Sequence, residues 1–106
     1  MKVESAYSEG RLALRLSGEL DHHAAKTAMR DIERAIDRFL PGACVIDMSP
    51  LMFMDSSGIA VLLKTRRRMN EIGGTLLVTG VRGQPGKVFA AAGLKRMINI
   101  GAAIAK

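Results

Sequence analysis

Residues 43–63 read ACVIDMSPLMFMDSSGIAVLL, and this stretch decides the fold. Ala43 to Met48 is short, apolar and β-branched at its centre, the pattern of a strand buried on both faces. Ser49 to Met54 reads as a loop. Asp55-Ser56-Ser57-Gly58 follows, and beyond it Ile59, Leu62, Leu63 and Met69 recur on one side of a helix. A buried strand feeding an amphipathic helix is the repeating unit of an α/β protein.

Working outward towards the N-terminus, Arg11 to Ser17 alternates polar and apolar residues, the period of a half-buried strand. Lys2 to Tyr7 reads as an edge strand. Glu9-Gly10 between them is a turn signal, so the two form a hairpin. Asp21 is placed to cap a helix. Ala25, Met29, Ile32, Ile36 and Phe39 then recur at spacings of three and four, giving an amphipathic helix of about five turns. Pro41-Gly42 stops it.

Towards the C-terminus, Gly73-Gly74 ends the second helix. Thr75 to Thr79 is another buried-type strand, and Gly80 to Gly86 is a loop. Pro85 to Ala92 is a short helix with Val88, Phe89 and Ala92 facing inward, and Gly93 is its C-cap. Met97 to Ile100 is a short last strand, and residues 101–106 are too few to form much alone. The order β-β-α-β-α-β-α-β predicts an α/β fold with a mixed, mostly parallel sheet covered by helices.

The chain has 106 residues, so one domain over 1–106 is expected. Hydrophobic residues make up 48%, too many for a disordered chain. Aromatics reach only 4%, so the core must be aliphatic, with seven Met as fillers. The lone Cys44 has no internal disulfide partner and sits in an apolar run, the place of a small buried hydrophobe. No leading stretch reads as a signal peptide, and no run approaches the ~20 apolar residues of a membrane span. A cytoplasmic location without membrane contact follows as the expectation. The net charge of +6 favours an acidic partner without naming it.

Asp55-Ser56-Ser57-Gly58 lies at the mouth of a helix. There the first backbone N–H groups lack intrahelical partners and the dipole favours negative charge. On spacing alone, Ser56 is either a cap or a modifiable hydroxyl. A phosphate there would add about −1.5 to −2 charges at the helix mouth.

A second motif joins it. Gly18-Glu19-Leu20-Asp21-His22-His23, then Asp47-Met48-Ser49, then Phe53-Met54-Asp55-Ser56-Ser57-Gly58, and finally Gly73-Gly74, stand in order. The set resembles the STAS domain of bacterial anti-sigma factor antagonists, nearest to the stage II sporulation AA type, from about residue 3 to residue 100. The resemblance implies a STAS fold and a protein-binding switch without catalysis or cofactor. In that family the first serine of the motif, here Ser56, is phosphorylated by a partner that is both anti-sigma factor and serine kinase. The unphosphorylated form binds that partner and frees a sigma factor, the phosphorylated form lets go, and a phosphatase resets it. The resemblance puts Asp21, Asp55, Ser57 and Gly58 around the phosphoserine, with His22 in the first helical turn beside them. Met52 and Met54 are expected as contact residues. The family usually continues into a C-terminal helix, which here is short or absent.

Other readings are weaker. Adjacent His22 and His23 point about 100° apart on a helix and do not chelate one ion, so no metal is expected. Ser56, Asp55 and His22 lack the glycine-flanked elbow of a hydrolase. Lys64-Thr65-Arg66-Arg67-Arg68 has no interleaved aromatics for base stacking, so it reads as a solvated face and no direct nucleic acid is expected. Gly80 to Gly86 lacks a phosphate-loop pattern. The alternative function is a constitutive STAS subunit of a transporter or signalling complex.

Overall fold

A computed structural model describes residues 1–101. The expected shortness or absence of a C-terminal helix concerns residues outside that range. Strands β1 (Lys2–Ser8) and β2 (Arg11–Leu20) form the predicted hairpin, with Val3 opposite Leu16 and Tyr7 opposite Leu12. Helix α1 (His22–Phe39) follows, then β3 (Ala43–Asp47), β4 (Leu51–Met54), α2 (Ser56–Glu71), β5 (Thr75–Thr79) and α3 (Gly83–Ala91). A 3-10 turn at Leu94–Arg96 leads to β6 (Asn99–Gly101). The sheet runs β1-β2-β3-β5-β6, and every pairing except β1–β2 is parallel.

Helix α1 behaves as its periodicity demands. Ala28, Met29, Ile32, Ala35 and Ile36 are buried, and Asp21 Oδ1 accepts from Ala24 N at 2.9 Å, capping the helix. Along β2, Leu12, Leu14 and Leu16 face the core while Arg11, Ala13 and Arg15 face out. These side chains join Cys44, Ile46, Leu62, Val78 and Phe89 in one apolar cluster between sheet and helices. Tyr7 stacks on Phe39 at 4.5 Å between ring centroids, fastening the hairpin to the last turn of α1.

The structure corrects four expectations. First, Ser49 to Met54 is not all loop: Leu51–Met54 forms β4, parallel to the far end of β2. The register of that pairing shifts between Gly18 and Glu19. Gly18 takes φ +90°, and a Cβ there would press on the Met1 backbone at 3.1 Å, so the irregularity needs glycine. One long strand thus pairs with β3 through residues 11–15 and with β4 through residues 18–20.

Second, β3 is not buried on both faces. Cys44 and Ile46 are buried, whereas Ala43, Val45 and Asp47 are half-exposed. The helices cover one side of the sheet, so the strands follow the rule of a half-open sheet despite their parallel pairing. Third, α3 starts at Gly83, ahead of Pro85, and Ala92 is an exposed C-cap rather than an inner residue. Fourth, the last strand begins at Asn99, because residues 94–96 wind a 3-10 turn that buries Leu94.

Candidate functional site

The far end of β2 and the end of β4 lie side by side, and each runs into a helix. Leu20 leads through Asp21 into α1, and Met54 leads through Asp55 into α2. Asp55 N donates to Leu20 O at 3.3 Å, which holds the two junctions together. The two helix N-termini therefore open at the same edge of the molecule.

Asp55 joins them. Its Oδ1 accepts from Ser57 N at 2.8 Å, capping α2. Its Oδ2 accepts from His22 N at 3.2 Å, in the first turn of α1. One carboxylate thus satisfies an orphan donor on each of two helices and sits where both dipoles are positive. Among the described residues Asp21 caps only its own helix.

Ser56 is the first residue of α2 and is exposed. Its hydroxyl makes no hydrogen bond among the described residues. The cap on α2 is Asp55, so Ser56 does not cap. Ser57 is half-buried and gives its backbone N–H to Asp55. Gly58 is buried, and a Cβ there would fall on Met54 Cγ and lie 3.1 Å from Leu20 Cδ2. The glycine lets the first turn of α2 sit down on the end of the sheet.

The residues expected around Ser56 are thus placed together: Asp21, His22, Asp55, Ser57 and Gly58 all belong to the two junctions. Met54 is the correction. It is 0% exposed, part of the core under Gly58, and offers no side-chain surface to a partner. Met52 is 75% exposed and Phe53 38% exposed, because β4 turns Leu51 and Met54 inward and these two outward. Phe53 was missed in the sequence because a residue taken as loop has no assigned face.

Gln84 was also missed. Its Oε1 accepts from Met54 N at 2.8 Å and its Nε2 donates to Met54 O at 2.9 Å. The side-chain amide of α3 thereby satisfies both main-chain groups of Met54, the residue preceding the Asp55 cap. Behind β4, Asp47 Oδ1 accepts from Ser49 N at 2.9 Å, and Arg82 donates to Ser49 O at 2.8 Å. Burial pushes the Asp47 carboxyl up, but the Ser49 hydrogen bonds and Arg15 outweigh it and hold it below its ordinary value. Beside Ser56, Phe53, Ile59, Val88 and Ala91 line a shallow apolar groove between α2 and α3.

The basic run on α2 is partly engaged within the molecule. Arg68 reaches Asp37 on α1 at 2.7 Å, and Arg67 reaches Glu71 at 3.7 Å. Among the described residues no group of three or more His, Cys, Asp or Glu could hold a metal ion. Among the described residues no helix is long and apolar enough to cross a membrane.

The chain is 33% identical over 100 residues to an anti-sigma F factor antagonist of Paenibacillus polymyxa, covering 94% of this chain and 86% of that protein. It is 32% identical over 83 residues to the anti-sigma F factor antagonist of Lysinibacillus sphaericus, covering 78% of this chain and 71% of that protein. The anti-sigma factor antagonist SpoIIAA in its unphosphorylated form superposes with a TM-score of 0.83 at 27% identity, over 98% of this chain and 90% of that one. The Bacillus cell fate determinant SpoIIAA in its phosphorylated form matches with a TM-score of 0.76 at 27% identity, over 98% of this chain and 93% of that one. The STAS domain model matches residues 2–106. With the fold, the two junctions and these likenesses in agreement, the chain belongs to the STAS domain family, alongside the anti-sigma factor antagonists it resembles.

Proposed function

We propose that this chain is an anti-sigma factor antagonist switched by phosphorylation of Ser56. In its unphosphorylated form it binds an anti-sigma factor that is also a serine kinase, and a sigma factor is released. The kinase transfers a phosphoryl group from ATP to Ser56 Oγ, binding is lost, and a phosphatase restores the hydroxyl. The chain is a substrate in this cycle and catalyses nothing itself. It works in the cytoplasm as one STAS domain over residues 1–106. Asp21, His22, Asp55 and Ser57 form the surface around the phosphorylated residue, and the buried Gly58 seats the turn that carries it.

One observation carries this reading: the serine that heads α2 is exposed and free of capping duty, because Asp55 does the capping. Its hydroxyl is therefore available to a kinase without loss of a bond that holds the helix. A phosphate placed there meets the positive end of α2, so the fold tolerates it. A partner laid over the same edge would have to desolvate a dianion, and losing about 1.4 kcal/mol already weakens binding tenfold. The reading of a transporter subunit finds less support, since the sulfate transporter family protein from Wolinella succinogenes shares only the fold, at 16% identity.

The test is incubation with the cognate anti-sigma kinase and ATP, followed by mass spectrometry. A single phosphate on Ser56, absent from Ser56→Ala, is the expected outcome. Phosphate on another residue, or none with an active kinase, would overturn the assignment.

A further inference from the structure

A groove of about 480 Å³ runs between α1 and α2 and begins at His22 and Ser57, beside the site described above. Small apolar residues, Ala25 and Ala60, lie along it, and Lys26, Arg30 and Lys64 stand on its rim. Among the described residues that line it, one carries a carboxylate, Glu33. None of the three cations is in an ion pair among the described residues, in contrast to Arg67 and Arg68 farther down α2, which are paired with Glu71 and Asp37. All three rim residues are exposed. The chain therefore presents unneutralised positive charge along a partly apolar trough that opens at Ser57, the residue after Ser56.

We infer that this α1/α2 groove receives an acidic segment of the anti-sigma factor, and that phosphorylation acts by setting a phosphate against that segment. The inference rests on the proposed switch and adds the partner's chemistry to it. A segment with Asp or Glu flanking small apolar side chains matches the trough in both charge and polarity. Rim cations of this kind raise association rates and make them salt-dependent. A dianion on Ser56, one residue before the Ser57 that lines the groove's end, then adds negative charge next to the seated segment and repels its carboxylates. The two effects are coupled: much of what phosphate costs the complex depends on the acidic segment being drawn into the groove.

The experiment measures association rate and affinity for the cognate anti-sigma factor by surface plasmon resonance at low and high salt. Lys26→Gln/Arg30→Gln/Lys64→Gln is compared with Lys87→Gln/Lys95→Gln/Arg96→Gln, which removes the same charge outside the groove, each with and without Ser56→Asp. Circular dichroism checks that all variants fold, as exposed Lys and Arg to Gln changes should allow. The groove variant is expected to associate roughly tenfold more slowly at low salt, the control within about twofold of wild type, and high salt should erase the difference. Ser56→Asp should cost the groove variant less affinity than it costs wild type.

Equal slowing by both triple variants would overturn the inference, because net charge alone would then explain it. Full additivity with Ser56→Asp would overturn the coupling to phosphate, and a groove variant that keeps the wild-type association rate at low salt would overturn the acidic-segment assignment. If Ser56→Asp binds like wild type while the groove variant alone is slowed, the phosphoswitch fails and the acidic-segment assignment stands without its coupling to phosphate. If only Ser56→Asp weakens binding, the switch stands and the groove assignment fails. Absence of any binding by wild type would overturn both.

Discussion

Asp21 and Asp55 cap neighbouring helices with the same residue type, yet they are bonded differently. Asp21 accepts one backbone hydrogen bond, from Ala24 N. Asp55 accepts two, from Ser57 N in its own helix and from His22 N in the other. Replacing an Asp cap with Ala costs about 1 kcal/mol. Asp21→Ala should therefore lower stability by about 1 kcal/mol, a fall in Tm of about 5 °C for a chain of this size. Asp55→Ala loses a cap and also a charge-assisted bond to a second helix, worth about 1 kcal/mol more at this half-exposed position. Its cost should be about 2 kcal/mol, near 10 °C in Tm. Asp55→Asn can keep one acceptor but must turn its NH2 group towards the remaining donor, so it should fall between the two. The assay is urea denaturation followed by circular dichroism, with the slope of the transition checked for constancy across variants. Equal losses for Asp21→Ala and Asp55→Ala would refute the claim that Asp55 ties the helices together.

Three further outcomes are expected. Gly58→Ala must displace Met54 from under the first turn of α2; overpacking of about 1–3 kcal/mol should outweigh the roughly 1 kcal/mol gained in helix propensity, so thermal denaturation should show a net loss. Gln84→Ala strips both partners from the Met54 backbone and should destabilise by about 1–2 kcal/mol, with faster hydrogen exchange at the Met54 amide as the local signature. Cys44 is 1% exposed and burial pushes its thiol up to about 12, so it should resist alkylation in the native protein and react at once on unfolding. Because that folded pKa lies above the ordinary value, the thiol's contribution to stability is complete below about pH 8.5 and is lost as pH climbs towards 12. Cys44→Ala should flatten that part of the alkaline denaturation curve.

The features legible in the sequence are those with a local period. The apolar series from Ala25 to Phe39 and the alternation from Arg11 to Ser17 translate directly into α1 and the inner face of β2. Asp21 and Asp55 are readable as residues ahead of helices for the same reason. What escaped is set by distant pairing. Leu51-Met52-Phe53-Met54 is apolar throughout, so no alternation marks it as β4 or separates the buried Met54 from the exposed Met52. Its partner is the part of β2 beyond Gly18, over thirty residues earlier. The bond from His22 N to Asp55 spans 33 positions, and the Gln84 amide meets Met54 across 30. The openness of one sheet face was obscured in β3 by Ala43 and Val45, apolar residues that sit on the uncovered side.

The Gln84 amide has a consequence for solubility. Strand β4 pairs with β2 on one side, and on the other it would present an unpaired main-chain edge carrying the exposed Met52 and Phe53. A bare hydrophobic edge of that kind is a template for strand addition from a second chain. By donating to and accepting from Met54, Gln84 imitates one residue of a neighbouring strand and occupies the pairing position nearest the helix junction. The edge is closed by a side chain rather than by another strand, so Met52 and Phe53 can stay on the surface without offering a ladder for intermolecular β-pairing at Met54.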